Sequence, residues 1–195
     1  FGTRKTMWAF AFVFKETEWG LFQVHAYPFE EGRGTWIVEC REETWRNAGL
    51  DKLSEEESAA FCHRLFEDHL EGEQLLTNRS LWRTFPTVRC GAWSHENVVL
   101  LGDSAHTAHF SIGSGTKLAM EDAVALAEAF VEHGCDDVPA ALEAYEDSRR
   151  IETIKLQKAA QTSLEWFEHS GRYMAQDPVL FTCNLMTPAK RMRHF

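Results

Sequence analysis

Apolar positions near the start of the chain recur with the period of strands. Residues 7–14 (MWAFAFVF) form an apolar run of strand length, and residues 20–27 (GLFQVHAY) alternate. In the second segment Phe22, Val24 and Ala26 point one way and Leu21, Gln23, His25 and Tyr27 the other, because successive strand side chains take opposite faces. Residues 35–40 (TWIVEC) make a third strand. The connections 15–19 and 28–34 are short and polar, so the strands are expected to pair antiparallel as a meander. One face is core. The other carries Gln23, His25 and Tyr27, an unusual set for a face that merely meets water.

The period then changes. Ser54 with Glu57 three residues later predicts a capping box. The helix behind it runs to about His69, with Phe61, Leu65 and Phe66 as its apolar stripe and an acidic first turn that suits the helix dipole. Residues 75–88, with Trp82, Phe85 and Pro86, return the chain to a first domain. Residues 98–101 (VVLL) predict a short buried strand, and 102–115 a loop of small residues. Over 116–133, Leu118, Ala119, Ala123, Leu126, Ala127 and Phe130 recur at helical spacing until Gly134 stops them. A further helical pattern starts at Val138 and continues to about Tyr173, and Asp177-Pro178 breaks it. The order strands, helix, strand, glycine loop, helices reads as an α+β or α/β fold. An antiparallel sheet and helix would occupy residues 1–85, a strand–loop–helix 86–135 and a helical segment 136–195.

Composition narrows the partners. The chain has 195 residues and a formal net charge of −10. That balance argues against nucleic acid or an anionic membrane surface, since both need clustered Lys and Arg. No window has the apolar length of a membrane span. The 14 Phe and 7 Trp suit either a Phe-heavy core or a pocket for flat apolar ligands. Five scattered cysteines with no CxxC pair point to free thiols in a reducing cytoplasm, with no metal knuckle. The chain starts at Phe1 and reads as a fragment.

The chemistry concentrates in residues 100–117. An apolar strand ends in Gly102-Asp103, where glycine lets the backbone approach a ligand and the carboxylate can accept hydrogen bonds from ligand hydroxyls. Gly113, Ser114 and Gly115 then lead into a helix start at Thr116 and Lys117. Such a start presents unpaired N–H groups and a positive dipole end. A carboxylate for hydroxyls and a helix end for an anion describe a site for a polyol-bearing group that becomes anionic, and reduced flavin is such a group.

Other readings use the same residues. A serine hydrolase with Ser104 as nucleophile needs a later Asp-x-x-His, and the one Asp-x-x-His, Asp103 to His106, overlaps the nucleophile. A metal at Asp103, His106 and His109 lacks ligand spacing and a fourth ligand; the bland reading of His106 is a hydrogen-bonded structural histidine. A non-catalytic binding module derived from a flavoprotein is a further alternative.

The segment GDSAHTAHFSIGSGTKLAMEDAVALA resembles the GD-containing motif of FAD-dependent aromatic-ring monooxygenases of the p-hydroxybenzoate hydroxylase type. The resemblance also covers residues 14–27, 36–51 and the closing NLMTPAKR stretch, 184–191. It implies that Asp103 contacts the ribityl hydroxyls. It sets the backbone of Gly113, Ser114, Gly115, Thr116 and Lys117 against the pyrimidine edge of the flavin. Glu121-Asp122-Ala123 matches the family's helical Asp-Ala. Many members have two prolines where this chain has His109-Phe110. The HFSIGSG form is similar to salicylyl-CoA 5-hydroxylases and 2-aminobenzoyl-CoA monooxygenase/reductases. His109 and Phe110, together with Gln23, His25 and Tyr27, are then expected to line the substrate pocket. The implied reaction is hydroxylation of an activated aromatic acid or its CoA thioester with NAD(P)H and O₂, in which no side chain acts as nucleophile. Arg149, Arg150, Arg191 and Arg193 read as surface residues, with a CoA-phosphate contact as the alternative. The family's GxGxxG turn for the ADP half of FAD is absent from this sequence, so the chain alone is expected to bind FAD weakly.

Overall fold

The computed structural model describes residues 1–187, and the chain divides into two compact units, 1–83 and 84–195. The first unit is built on a five-stranded antiparallel sheet. Its strands are β1 (Gly2–Thr3), β2 (Ala11–Thr17), β3 (Gly20–Glu30), β4 (Arg33–Cys40) and β5 (Leu75–Leu76), in the order β2-β3-β4-β1-β5. The expected meander β2–β3–β4 is present, with Val24 registered against both Val13 and Val38. Gly20 holds a left-handed φ of +132°, and a Cβ there would collide with Thr44, so the turn into β3 admits only glycine.

Alternation gives this sheet two different buried faces. Phe22, Val24, Ala26 and Trp36 pack with Leu50, Cys62, Phe66 and Leu70 in the core, beneath α1 (Glu42–Asn47), α2 (Glu55–Leu65) and α3 (Glu67–Leu70). The capping box at the start of α2 is present: Glu57 N donates to Ser54 Oγ, and Ser54 N to the Glu57 carboxylate at 2.8 Å. The single helix expected to His69 is instead interrupted at Phe66, whose backbone (φ −114°, ψ 19°) leaves helical geometry while its ring stays fully buried. The first apolar run also shortens. The ladder begins at Ala11, opposite Ala26, and Trp8 lies 94% exposed; an apolar run without a ladder partner stays outside the sheet.

In the second unit, β6 (Ser94–His95) and β7 (Val98–Val99) form a hairpin. They precede α4 (Gly115–His133), α5 (Val138–Glu168) and α6 (Pro178–Met186). The VVLL strand was expected to be buried over its whole length. Only Val98–Val99 enters a ladder, and Val98 is 62% exposed. Its one partner among the described residues is the two-residue β6, which is too short to continue the pairing. Leu100 instead donates to Trp93 O and accepts from Tyr145 Oη. A short connection folds α5 back onto α4, and Trp93, Ala105, Ala129, Ala141 and Tyr145 fill the core between them. The long helical pattern stops at Glu168, and a 3-10 turn, Ser170–Tyr173, follows. Asp177 does more than break that pattern: it caps α6 by accepting from Val179 N at 2.9 Å, with Pro178 in the first turn.

Two stability predictions follow from this packing. Phe66→Ala should cost about 3–5 kcal/mol and Ser54→Ala about 1 kcal/mol, both read from urea midpoints. A third concerns the thiols. Burial pushes Cys40 and Cys62 up to about 12, with help at Cys40 from neighbouring Cys62 and Glu39. Both keep their protons when folded and lose them sooner when unfolded. Their contribution to stability is therefore full below about pH 8.5 and disappears as pH climbs towards 12. Mass spectrometry after iodoacetamide at neutral pH should find the exposed Cys135 and Cys183 alkylated and Cys40 and Cys62 protected.

Candidate functional site

Leu101 is extended, and Gly102–Ser104 closes into a 3-10 turn with Gly102 at φ +58°. A Cβ on Gly102 would stand 2.9 Å from the Ala119 Cβ of α4, so both the backbone conformation and the close approach require glycine. Ser104 Oγ donates to Leu101 O at 2.8 Å and accepts from Leu101 N. Asp103, between these fixed residues, is exposed.

One carboxylate holds the turn. Asp122 on α4 has no exposed surface. Its Oδ2 accepts from Gly102 N at 2.8 Å and lies 2.7 Å from His106 Nε2, and its Oδ1 accepts from Arg149 Nε at 2.9 Å. Arg149 also donates to Glu121 at 2.9 Å. Burial opposes the Arg149 charge, but hydrogen bonds to Asp122 and Glu121 outweigh it and keep its pKa above the ordinary guanidinium value. Glu121 is held below the usual carboxylate range, first by its bond to Lys117 and then by Arg149. His106 is thus the hydrogen-bonded structural histidine, and with its Nε2 on Asp122 and Ser104 bonded to Leu101 no Ser–His pair forms for a hydrolase. Arg149, expected at the surface, is a correction: its side chain is 11% exposed and bound to two carboxylates. Arg150 lies nearer the surface, donating to Gly91 O and pairing with Glu146. Arg191 and Arg193 lie outside the described residues, as does the end of the NLMTPAKR stretch.

The glycine loop presents a different kind of group. His109 Nδ1 accepts from Ser111 N and starts the 3-10 turn Phe110–Ile112. Gly113 follows at φ +65°, and nothing lies within 4 Å of a Cβ built on Gly113 or Gly115. Ser114 is the N-cap residue of α4, yet its hydroxyl donates to Ile112 O and caps nothing. Among the described residues the first turn of α4 therefore has no side-chain cap, and no acidic residue stands in it. Thr116 and Lys117 are exposed. Open glycines, uncapped amides and an exposed carboxylate fit FAD, whose ring tolerates close backbone and whose hydroxyls and anionic form need those partners.

The residues expected to line a substrate pocket belong to two units. Gln23, His25 and Tyr27 share the second buried face of the sheet, where His25 Nε2 lies 2.8 Å from Glu39 Oε1 across the β3–β4 pairing. Aromatic rings surround this pair. Phe12 stands edge-on to His25 at 4.8 Å, and Phe10 stacks on Tyr27 at 5.4 Å. In the second unit His109 and Phe110 meet at 4.5 Å, and Phe85 joins Phe110 at 5.0 Å. Sequence reasoning missed Glu39 and Phe85. Among the described residues no cluster of three or more His, Cys, Asp or Glu could hold a metal. Among the described residues no helix is long and apolar enough to cross a membrane. A groove of about 430 Å³ between α4 and α5, lined in part by Met120, Val124 and Arg149, includes none of the expected site residues.

Known proteins resemble this chain in sequence and in fold. The chain is 42% identical to a salicyloyl-CoA 5-hydroxylase from a Streptomyces species, over 96% of this chain and 38% of that protein. It is 39% identical to the 3-hydroxy-4-methyl-anthranilyl-[aryl-carrier protein] 5-monooxygenase of Streptosporangium sibiricum, over 80% of this chain and 40% of that one. The chain thus spans about two fifths of the length of the curated relatives it matches. Its fold resembles the crystal structure of PqsL from Pseudomonas aeruginosa, with a TM-score of 0.57 and 23% identity over 78% of this chain and 43% of that one. Residues 5–160 match the FAD binding domain model, and the chain belongs to that family.

Proposed function

We propose that the chain is the flavin-ring and substrate-binding part of an FAD-dependent monooxygenase that hydroxylates an activated aromatic ring in the cytoplasm. The observation that carries this reading is the exposed Asp103 on a turn bonded to α4, whose own N-terminal amides are uncapped. The overall reaction consumes O₂ and NAD(P)H and places a hydroxyl on the ring. Bound FAD supplies the electron transfer and oxygen activation.

The chain's own residues have positioning roles. The Asp103 carboxylate accepts hydrogen bonds from ribityl hydroxyls, and Gly102 allows the approach. The amides of Gly113, Ser114, Gly115, Thr116 and Lys117 face the pyrimidine edge, where the α4 dipole stabilises negative charge. His109 and Phe110, with Phe85, offer flat apolar surface to an aromatic substrate. In the first unit, taken by itself, Gln23, His25 and Tyr27 put polar groups on one sheet face, with the rings of Phe10 and Phe12 beside His25. The relatives named for salicyloyl-CoA and a carrier-bound anthranilyl group support a thioester-linked aromatic acid bearing a hydroxyl or amino group. Such a substituent raises electron density on the ring that is hydroxylated. Met120, Val124 and Val131 leave an exposed apolar stripe on α4, a surface suited to burial within a larger protein.

In the native-length protein, Asp103→Ala should weaken FAD binding by about tenfold or more, equivalent to losing one charge-assisted hydrogen bond. It should also reduce hydroxylation while leaving the far-UV circular dichroism unchanged. Normal flavin content and turnover in that variant would refute the assignment. The isolated 195-residue chain should bind FAD weakly in a fluorescence titration, and tight stoichiometric binding would contradict its reading as part of the site. Oxygen consumption with salicylyl-CoA, 2-aminobenzoyl-CoA and the free acids should be stimulated more by the thioesters.

A further inference from the structure

We propose that Arg149, acting through Asp122 and His106, is a positioning residue that sets the aim of Asp103 at the ligand; this rests on the flavin reading above. The geometry begins with the spacing. Gly102 immediately precedes Asp103, and His106 follows three residues later. Both bond to the same oxygen, Asp122 Oδ2, at 2.8 and 2.7 Å. The exposed Asp103 is therefore bracketed by two contacts to one buried atom. Ala105 N and His106 N also return to Gly102 O at 3.0 and 2.9 Å, which closes the turn between the brackets.

That buried atom needs an anchor of its own. A carboxylate on a helix side chain has two torsions free to move, and Asp122 reaches the turn only in one arrangement. Arg149 Nε holds the other oxygen, Oδ1, at 2.9 Å, and Arg149 Nη2 simultaneously holds Glu121 at 2.9 Å. The guanidinium is planar and grips both carboxylates in a fixed fork. It comes from α5, whereas Asp122 belongs to α4, so the aim of the turn is referred to two packed helices and not to loop geometry. His106 is locked from a second side by Trp93, whose ring centroid lies 4.8 Å away. Its Nδ1 is buried with no hydrogen-bond partner among the described residues, so the polar contact its ring makes there is the one that serves the turn.

Replacing Arg149 leaves Asp122 buried with one rigid partner fewer. The carboxylate can then reorient, release Gly102 N and free Asp103 to swing. Arg149 touches no part of the expected ligand set. Its effect on ligand affinity thus separates positioning from direct contact.

The test compares native-length wild type, Arg149→Met and Arg149→Lys by hydrogen exchange of residues 100–107 without flavin, and by FAD titration with the absorbance spectrum of the bound flavin. Arg149→Met should exchange about tenfold faster over the turn, bind FAD about tenfold more weakly and shift the bound-flavin spectrum. Arg149→Lys should recover much of each change. If Arg149→Met does not fold, Arg149→Gln carries the same measurements. A lowered melting temperature with unchanged FAD affinity and spectrum in the folded fraction would overturn the proposal, as would unaltered exchange over the turn. If wild type itself takes up no FAD, the flavin reading falls, and exchange over the turn alone then upholds or overturns the Arg149 clamp.

Discussion

Asp122 has no exposed surface, and an isolated carboxylate in that position would be strongly disfavoured. Removing a charge from water costs several kcal/mol even after relaxation. The fold meets the cost with three partners drawn from two places: a backbone amide and an imidazole from one loop, and a guanidinium from α5. None of them is optional, because losing any one leaves a buried group under-satisfied. The arrangement is consequently a constraint on geometry more than a source of net stability. α4, α5 and the Gly102–Ser104 turn can occupy only those relative positions that let all three bonds close.

A similar logic operates on the sheet of the first unit. Alternation sends Phe22, Val24 and Ala26 into an apolar core, and it sends Gln23 and His25 to a face that is also buried. A polar group there needs a partner on a neighbouring strand, and the β3–β4 register sets Glu39 opposite Gln23, from where it reaches His25 diagonally. Aromatic side chains from β2 and the segment before it close around that pair. The strand period fixes which residues share the face, and the register fixes which of them meet.

Much of this was legible in the sequence, for reasons that differ between elements. Period two revealed the meander, and Ser54 with Glu57 revealed the start of α2, because both signals are local. The turn at Gly102-Asp103 and the glycine loop before α4 were legible as backbone features for the same reason. The break at Phe66 was not, since its cause is the fit of one ring into the core. Arg149 was misread as surface because charge suggests exposure. A signal was nevertheless present: Leu118, Asp122 and Ala129 lie on one stripe of α4, and Ala141, Tyr145 and Arg149 on one stripe of α5. A single opposite charge in each of two apolar stripes at helical spacing is the mark of a buried pair. Glu39 and Phe85 carried no such mark, because their significance depends on register and on a segment without regular structure.

The second unit separates groups whose needs are met from groups whose needs are left open. Gly102, His106, Asp122 and Arg149 are bound to one another, and little of them reaches water. Asp103, Gly113 and Thr116 are exposed, and among the described residues the head of α4 has no side-chain cap. Open polar groups at a surface cost little, because water satisfies them. A ligand that brings hydroxyls to the carboxylate and an electron-rich edge to the amides can take the place of that water. It gains affinity only if the groups already stand in the bound arrangement, since ordering them on binding would consume the gain. The buried carboxylate supplies that order before any ligand arrives.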